Sequence, residues 1–181
     1  MSNQNLFVAL RNAFPADLDT LAVETDEGLR YSWRDLDRAT AMVANLLQSL
    51  DIPQSNDGVP PRVAVQVEKS VEAMVLYLAT LRAGFAFLPL NTAYQSAEIE
   101  YFIGNAEPAV VVCRGAHFPW VSQIAFKAGT RHVFTLNDDR TGSLLERAAH
   151  FSDQQTPVAR QAHDLAAILY TSGTTGRSKG A

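Results

Sequence analysis

Short apolar runs alternate along this chain with longer stretches whose apolar residues recur at helical spacing. The runs predict buried strands, because a strand covered on both faces needs no polar side. The predicted strands, the second of which could also be an extended segment, are 62–67, 85–90, 109–113 and 132–136. The predicted helices are 71–83, 96–105, 119–128 and a short one that Ser143, at the start of the run 143–146, is expected to cap. This alternation indicates an α/β fold, with a parallel sheet built from βαβ units.

The first fifty residues predict a helix and a hairpin ahead of a second, longer helix. The predicted elements are a helix over 6–14 and two short strands over 21–25 and 28–31. A capping-box pattern over 32–35 then begins the longer helix. Its apolar residues keep helical spacing; they are Leu36, Ala39, Val43, Leu46, Leu47 and Leu50. Polar linkers are predicted at 53–58 and 153–160, and the apolar run 165–170 after the second linker predicts a final strand.

Composition narrows the classes of protein that the chain can represent. Of its 181 residues 47% are hydrophobic, which is too many for a disordered chain and enough for a core. The net charge of −4 argues against a nucleic-acid binder held by a basic surface. No apolar stretch reaches the ~18 residues of a membrane span, and the N-terminus shows no secretory signal. With Cys113 as its single cysteine, we expect a cytoplasmic protein.

Residues 171–180, here called the phosphate loop, contain the residues that point most clearly to a ligand. Three glycines, five hydroxyl side chains and two cations follow the apolar run directly, and no carboxylate lies between Leu165 and Ala181. Glycines let backbone N–H groups converge on an anion. This density of donors best matches a polyphosphate ligand.

Two better-known phosphate loops do not fit this segment. A Walker A motif starting at Gly173 requires a second glycine at 178, where the chain has Ser178, and Gly180 stands where a hydroxyl should follow Lys179. The dinucleotide-binding pattern fails as well, because Gly173 and Gly176 are three residues apart. The remaining alternative is a flexible Ser/Thr/Gly linker, against which the preceding apolar run argues.

Residues 170–180 resemble the signature phosphate loop of the adenylate-forming (AMP-binding) enzymes, which include acyl-CoA synthetases, luciferases and peptide-synthetase adenylation domains. Ser178 stands where members of that family usually have proline. Residues 81–91 and 29–36 also resemble family motifs, in the expected order. Within the family, residues 94–108 and the loop's Thr-Gly-Arg-Ser-Lys ending look most similar to malonyl-CoA synthetases.

The resemblance implies an ATP-dependent carboxylate–CoA ligase, with malonate the expected carboxylate, which forms an acyl-adenylate and then an acyl-CoA thioester. ATP, Mg²⁺ and coenzyme A are the implied substrates and cofactor. Residues 1–181 would be an incomplete N-terminal AMP-binding domain, truncated after the phosphate loop. The rest of that domain and the C-terminal lid domain would be absent, so the isolated chain is expected to be inactive.

The resemblance also assigns the site residues. Those expected to bind the ATP phosphates are Thr171, Ser172, Gly173, Thr174, Thr175, Gly176, Arg177, Ser178 and Lys179. No catalytic residue and no metal ligand is expected in this segment. Two alternatives stay open: a non-catalytic nucleotide-binding or regulatory module, and a peptide-synthetase adenylation domain that uses a carrier-protein thiol. Acyl specificity and oligomeric state cannot be derived from the sequence.

Overall fold

Helices and strands alternate in the computed structural model, which describes residues 3–53, 58–171 and 178–181. The helices are α1 (Leu6–Asn12), α2 (Trp33–Ser49), α3 (Val71–Arg82), α4 (Ser96–Ala106), α5 (Phe118–Lys127) and α6 (Ser143–Ala148). The strands are β1 (Leu21–Glu24), β2 (Arg30–Ser32), β3 (Arg62–Gln66), β4 (Ala86–Pro89), β5 (Val110–Cys113), β6 (His132–Thr135), β7 (Tyr170–Thr171) and β8 (Lys179–Gly180). A 3₁₀ turn, Gly115–His117, precedes α5.

The central sheet is parallel and has the strand order β4-β3-β5-β6. Val63 of β3 pairs with Phe87 of β4 on one side and with Val110 of β5 on the other. The chain therefore leaves β3 towards one edge, through β4, and later reaches β6 at the opposite edge. Open α/β sheets of this kind bind ligands beyond the carboxyl ends of their strands. The predicted α/β fold class is confirmed.

Two hydrophobic cores lie on opposite faces of this sheet, as continuous apolar strands require. Val63 and Val65 of β3 contribute to the core that α2, α3 and α6 cover. Ala64, between them, contributes to the second core, beneath α4 and α5. The two inner strands, β3 and β5, are thus buried on both faces, which explains the absence of polar alternation in their predicted runs.

The N-terminal hairpin and the cap of α2 follow the sequence prediction. β1 and β2 pair antiparallel, and the Ser32 hydroxyl accepts a hydrogen bond from the Asp35 amide at 3.1 Å. The Asp35 carboxylate in turn accepts from the Ser32 amide at 2.8 Å, which completes the capping box. The Ser32 hydroxyl also donates to this carboxylate at 2.7 Å, and this bond together with the one from the Ser32 amide lowers the pKa of the Asp35 carboxyl. The first helix ends at Asn12, two residues before the predicted boundary.

The final apolar run does not form the single strand that the sequence predicts over 165–170. Ala167 makes one parallel bridge to Phe87 of β4, and β7 then pairs antiparallel with β8. The backbone changes partner between these points: Ile168 still donates to the Phe87 carbonyl, whereas Leu169 donates to that of Ala181. Apolar composition predicts an extended segment correctly, but it does not specify the strand with which that segment pairs.

The predicted role of Ser143 as a helix cap is wrong. Gly142 occupies the N-cap position of α6, at φ +133°. Ser143 instead joins the helix to β6: its hydroxyl accepts from the Thr135 amide at 3.0 Å, and its own amide donates to the Thr135 hydroxyl at 2.9 Å. A tertiary hydrogen bond has therefore replaced the local cap.

The strap (residues 153–160) contains no helix or strand, yet it is bonded to the chain on several sides. The Asn5 side chain donates to the Val158 carbonyl at 2.8 Å, and the Gln4 amide donates to that of Arg160 at 2.9 Å. Arg160 completes the connection, because its amide donates to the Asn3 side chain at 3.1 Å. The predicted linker is thus a segment that fastens the N-terminal residues.

Arg82 joins the strap to the helices from a nearly buried position, with 7% of the residue exposed. Its Nη1 donates to Asp37 Oδ1 at 2.9 Å and to the Thr40 hydroxyl at 3.0 Å. Its Nε donates to Gln155 Oε1 at 3.0 Å, and the guanidinium lies 4.9 Å from the centroid of the Phe7 ring. Four segments of the chain (α1, α2, α3 and the strap) therefore meet at one cation.

Candidate functional site

The phosphate loop begins where the final run leaves the edge of the sheet. The Phe87 amide donates to the Ala166 carbonyl at 2.9 Å, and the Ile168 amide donates to the Phe87 carbonyl at 2.9 Å. Because the bridge between Ala167 and Phe87 is parallel, the run travels in the same direction as the four strands. Thr171 follows four residues later, on the side to which those strands point. Ligand sites of α/β sheets occupy that side.

The two arms that enclose the loop pair with each other, and residues 169–171 and 178–181 are here called the loop stem. Thr171 lies opposite Lys179, and Tyr170 lies opposite Gly180. Leu169 and Ala181 exchange two backbone hydrogen bonds of 2.8 and 2.9 Å. The six residues between the arms are therefore held at both ends by one short antiparallel ladder.

Of the predicted site residues, the structure describes three. Thr171 and Lys179 are exposed and face each other in the stem, and Ser178 is half-buried. The remaining six lie outside the described residues; they are Ser172, Gly173, Thr174, Thr175, Gly176 and Arg177. The structure therefore brings Thr171, Ser178 and Lys179 together.

Gly180 allows the returning arm to lie close to the outgoing one. A Cβ atom at this position would lie 3.0 Å from the Ile168 side chain and 3.5 Å from the Tyr170 ring. A separation of 3.0 Å is tighter than ordinary van der Waals contact, so a larger residue would push the arms apart. The last glycine of the motif thus supports the packing of the stem.

Helix α4 contacts both arms of the stem. The Tyr101 hydroxyl donates to the Ser178 carbonyl at 2.7 Å, and the Tyr170 hydroxyl donates to Asn105 Oδ1 at 2.5 Å. The Tyr170 ring also packs on Phe102, with 4.6 Å between the ring centroids. Burial raises the pKa of the Tyr170 phenol, and Tyr101 raises it further, so this phenol keeps its proton at neutral pH.

Helix α4 is itself fixed to the sheet. Ile99, Phe102 and Ile103 are buried in the second core, and the Gln95 amide at the start of the helix donates to the Glu98 carboxylate at 3.0 Å. Gln66 of β3, 2% exposed, donates to the Tyr94 carbonyl at 2.9 Å. The helix that holds the stem is therefore anchored both by apolar burial and by a buried amide.

Sequence reasoning did not identify Tyr101 and Asn105 as part of the candidate site. They lie 77 and 65 residues from their stem partners, Ser178 and Tyr170. The adjacent aromatic residues Tyr101 and Phe102 were the available signal, and such a pair in an apolar helix ordinarily indicates core packing. Phe102 does pack in the core, whereas the Tyr101 hydroxyl contacts the stem.

The described residues contain neither a cluster of metal ligands nor a membrane-spanning helix. Within 3–53, 58–171 and 178–181, no group of three or more His, Cys, Asp or Glu side chains could hold a metal ion. Every helix in the same ranges is too short or too polar to cross a lipid bilayer.

Cys113 is buried at the end of β5, where burial raises the pKa of its thiol to about 12. We expect iodoacetamide at pH 8 to leave it unmodified in the native protein, because only roughly one thiol in 10,000 is then ionised. In concentrated urea the pKa returns to about 8.5 and alkylation should proceed. Peptide mapping of residue 113 measures both states. Rapid alkylation of the native protein would contradict the buried placement of this thiol.

The chain is similar to known proteins over nearly its whole length. The family model described as AMP-binding enzyme matches residues 11–181. The crystal structure of ATP-bound MatB from Rhodopseudomonas palustris superimposes with a TM-score of 0.90 and 49% identity, covering 99% of this chain and 34% of that one. Tyrocidine synthase 1 from Brevibacillus parabrevis is 30% identical over 180 residues, 99% of this chain and 15% of that protein.

A second peptide synthetase shows how small a share of such proteins the chain represents. The nonribosomal peptide synthetase fso1 from Omphalotus olearius is 32% identical over 168 residues, 90% of this chain and 4% of that protein. The chain thus spans about a third of the solved MatB chain. It spans 15% or less of these two curated relatives.

Proposed function

Because the chain belongs to the AMP-binding enzyme family, we propose that it is the N-terminal part of an ATP-dependent ligase that joins a carboxylate to coenzyme A. In the first half-reaction, a carboxylate oxygen attacks the α-phosphorus of ATP and pyrophosphate leaves. In the second, the coenzyme A thiol attacks the acyl carbon of the acyl-adenylate, loses its proton, and AMP leaves. The adenylate is needed because a free carboxylate is a poor acyl donor.

The observation that carries this proposal is the loop stem at the edge of the parallel sheet. The stem places Thr171, Ser178 and Lys179 beside the edge strand of a parallel sheet, and sheets of this kind bind ligands where their strands end. The sequence between the two arms is rich in hydroxyl side chains and glycines. Such a segment suits polyphosphate, since backbone N–H groups, hydroxyls and a lysine together neutralise and orient the phosphates. The likeness to a MatB structure that holds ATP supports the same ligand.

In this proposal the loop holds the β- and γ-phosphates and orients the departing pyrophosphate. Lys179 supplies a point charge from its exposed place on β8. The hydroxyls and backbone N–H groups of the other loop residues complete the donor set; these residues are Thr171, Ser172, Gly173, Thr174, Thr175, Gly176, Arg177 and Ser178. Positioning and charge neutralisation are the main protein contributions to reactions at phosphorus.

The remainder of the N-terminal domain and a C-terminal lid domain are proposed to lie elsewhere in a longer protein. The support is the coverage, since the chain accounts for 34% of the solved MatB chain. The intact mass of the native protein, captured from its source cell through this region, tests the point. A mass near 19.8 kDa would favour the non-catalytic module instead.

Replacement of Lys179 by alanine in the full-length enzyme is expected to lower the rate of carboxylate-dependent ATP–pyrophosphate exchange at least about tenfold. The reason is that the positive charge that binds the phosphates is lost. Thr174→Val should cost about 1–3 kcal/mol of transition-state stabilisation, the value of a lost hydrogen bond. Lys127→Ala is the matched control, since Lys127 is an exposed lysine on α5 that pairs with Glu100. Exchange that is unchanged in Lys179→Ala and Thr174→Val would contradict the loop assignment.

Malonate is the carboxylate that we propose, on the basis of the resemblance of residues 94–108 to malonyl-CoA synthetases. The second candidate is a peptide-synthetase adenylation domain, which the curated relatives favour. Exchange assays with malonate and with the common amino acids, each followed by trapping with coenzyme A, separate the two. Malonyl-CoA formation supports the ligase; amino-acid-dependent exchange without thioester formation supports the adenylation domain.

A further inference from the structure

We propose that Tyr101 and Asn105 of α4 are positioning residues for ATP, because they fix the two arms of the loop stem relative to each other. The inference rests on the proposed function, in which the loop between these arms binds the phosphates. Neither residue is required to touch substrate. Their part is to hold the peptide units from which the loop begins and to which it returns.

One face of α4 reaches both arms. Tyr101 and Asn105 are four residues apart, so their side chains project from the same side of the helix. Tyr101 donates to the Ser178 carbonyl on the returning arm at 2.7 Å, and Asn105 accepts from the Tyr170 hydroxyl on the outgoing arm at 2.5 Å. Both arms are therefore hydrogen-bonded to one rigid helix, and this helix sets the distance between them.

The stem needs this external support because its own ladder is short. β7 and β8 contain two residues each, and an isolated two-stranded hairpin is marginally stable at best. Phe102, 2% exposed, provides the apolar half of the support through its contact with the Tyr170 ring. The hydroxyls of Tyr101 and Tyr170 also fix the orientation of the arms. A hydrogen bond constrains the orientation of its partner, whereas ring packing alone does not.

The bond from Tyr101 acts on the peptide unit that leads into Lys179. The Ser178 carbonyl that accepts it belongs to the same planar amide as the Lys179 nitrogen. Orienting this carbonyl therefore orients the backbone from which the Lys179 side chain projects. The phenol of Tyr101 thus limits the directions in which the proposed phosphate-binding cation can point.

Tyr101→Phe, Tyr170→Phe and Asn105→Ala in the full-length enzyme test the inference, because the first two keep the ring and remove only a hydroxyl. Each is expected to raise KM for ATP about two- to tenfold, the value of one hydrogen bond. The KM for the carboxylate should stay unchanged. The Tyr170→Phe/Asn105→Ala double variant should be no worse than either single variant, since both remove the same bond.

Tyr77→Phe is the matched control. Tyr77 lies on α3 and packs on Phe87 with a centroid separation of 5.0 Å. The KM of the Tyr77→Phe enzyme for ATP should equal that of the unsubstituted enzyme. A purely structural role for Tyr101 would lower the melting temperature and leave KM for ATP unchanged, which would overturn the inference. An equal rise in KM for the carboxylate would overturn it too.

Failure of the inference can be told apart from failure of the proposed function. If Lys179→Ala reduces exchange while Tyr101→Phe and Asn105→Ala keep the ordinary KM for ATP, the function stands and the positioning role is wrong. If the unsubstituted full-length enzyme shows no carboxylate-dependent exchange, the proposed function fails and the positioning role fails with it.

Discussion

Replacement of Arg82 by leucine is expected to lower the free energy of unfolding by about 3 kcal/mol, the scale for removing one partner of a buried ion pair. The guanidinium is almost fully buried, and it binds side-chain oxygens of Asp37, Thr40 and Gln155. Burial lowers the pKa of Arg82, while Asp37 opposes that effect. Leucine would remove one donor from each of these oxygens and from the carbonyls of Asp37 and Gln155.

Urea unfolding followed by circular dichroism measures this change, with Arg38→Leu as the control. Arg38 lies on the same helix as Asp37 and pairs with Asp153, but 59% of its side chain is exposed. Exposed ion pairs contribute little, so the control should differ from the unsubstituted protein by no more than about 0.5 kcal/mol. If Arg82→Leu and Arg38→Leu were equally stable, the packing of α1, α2, α3 and the strap would not depend on the Arg82 guanidinium.

Substitution of Gly142 by alanine is expected to cost about 3 kcal/mol of stability, for two reasons that act together. The residue has φ +133°, a conformation that side-chain-bearing residues rarely adopt. The new Cβ would also lie 2.4 Å from the Thr135 carbonyl oxygen. That atom belongs to the backbone of β6, so relief of the clash requires α6 to move away from the sheet.

Gly104→Ala provides the comparison for this second prediction. Gly104 lies inside α4, and apart from its chain neighbours and the adjacent helix backbone no atom lies within 4 Å of the position its Cβ would take. Alanine is the better helix former by up to about 1 kcal/mol, so this variant should match or exceed the unsubstituted protein in stability. The same urea titration applies to both glycine variants. A Gly142→Ala protein as stable as Gly104→Ala would contradict the predicted clash.

The elements that the sequence predicted well are those whose cause is local. The run at 109–113 became β5 because all four residues of that strand are apolar and fit a site buried on both faces. The capping box of Ser32 and Asp35 formed because its partners are three residues apart. Periodicity and short-range hydrogen bonds are both visible in the sequence.

The predictions that failed depend on partners distant in the sequence. Leu169 pairs with Ala181 and not with β4, and Ser143 bonds Thr135 instead of capping its own helix. Composition and the resemblance predict a phosphate loop at 171–180, but neither could show that Tyr101, 77 residues before Ser178, donates to the carbonyl of the returning arm. The buried network around Arg82 also joins residues far apart in the sequence, since its side-chain partners are Asp37, Thr40 and Gln155.

The bonds between the strap and residues 3–5 have a consequence for the order in which a nascent chain folds. Asn5 and its neighbours leave the ribosome well before their partner Val158, which follows 153 residues later. At about 5–20 residues per second, roughly 8–30 s of translation separate the two. While the central strands are being synthesised, helix α1 therefore lacks the hydrogen bonds to the strap that later secure it. Residue 5 can therefore form its bond to Val158 only after all four strands of the parallel sheet have been synthesised.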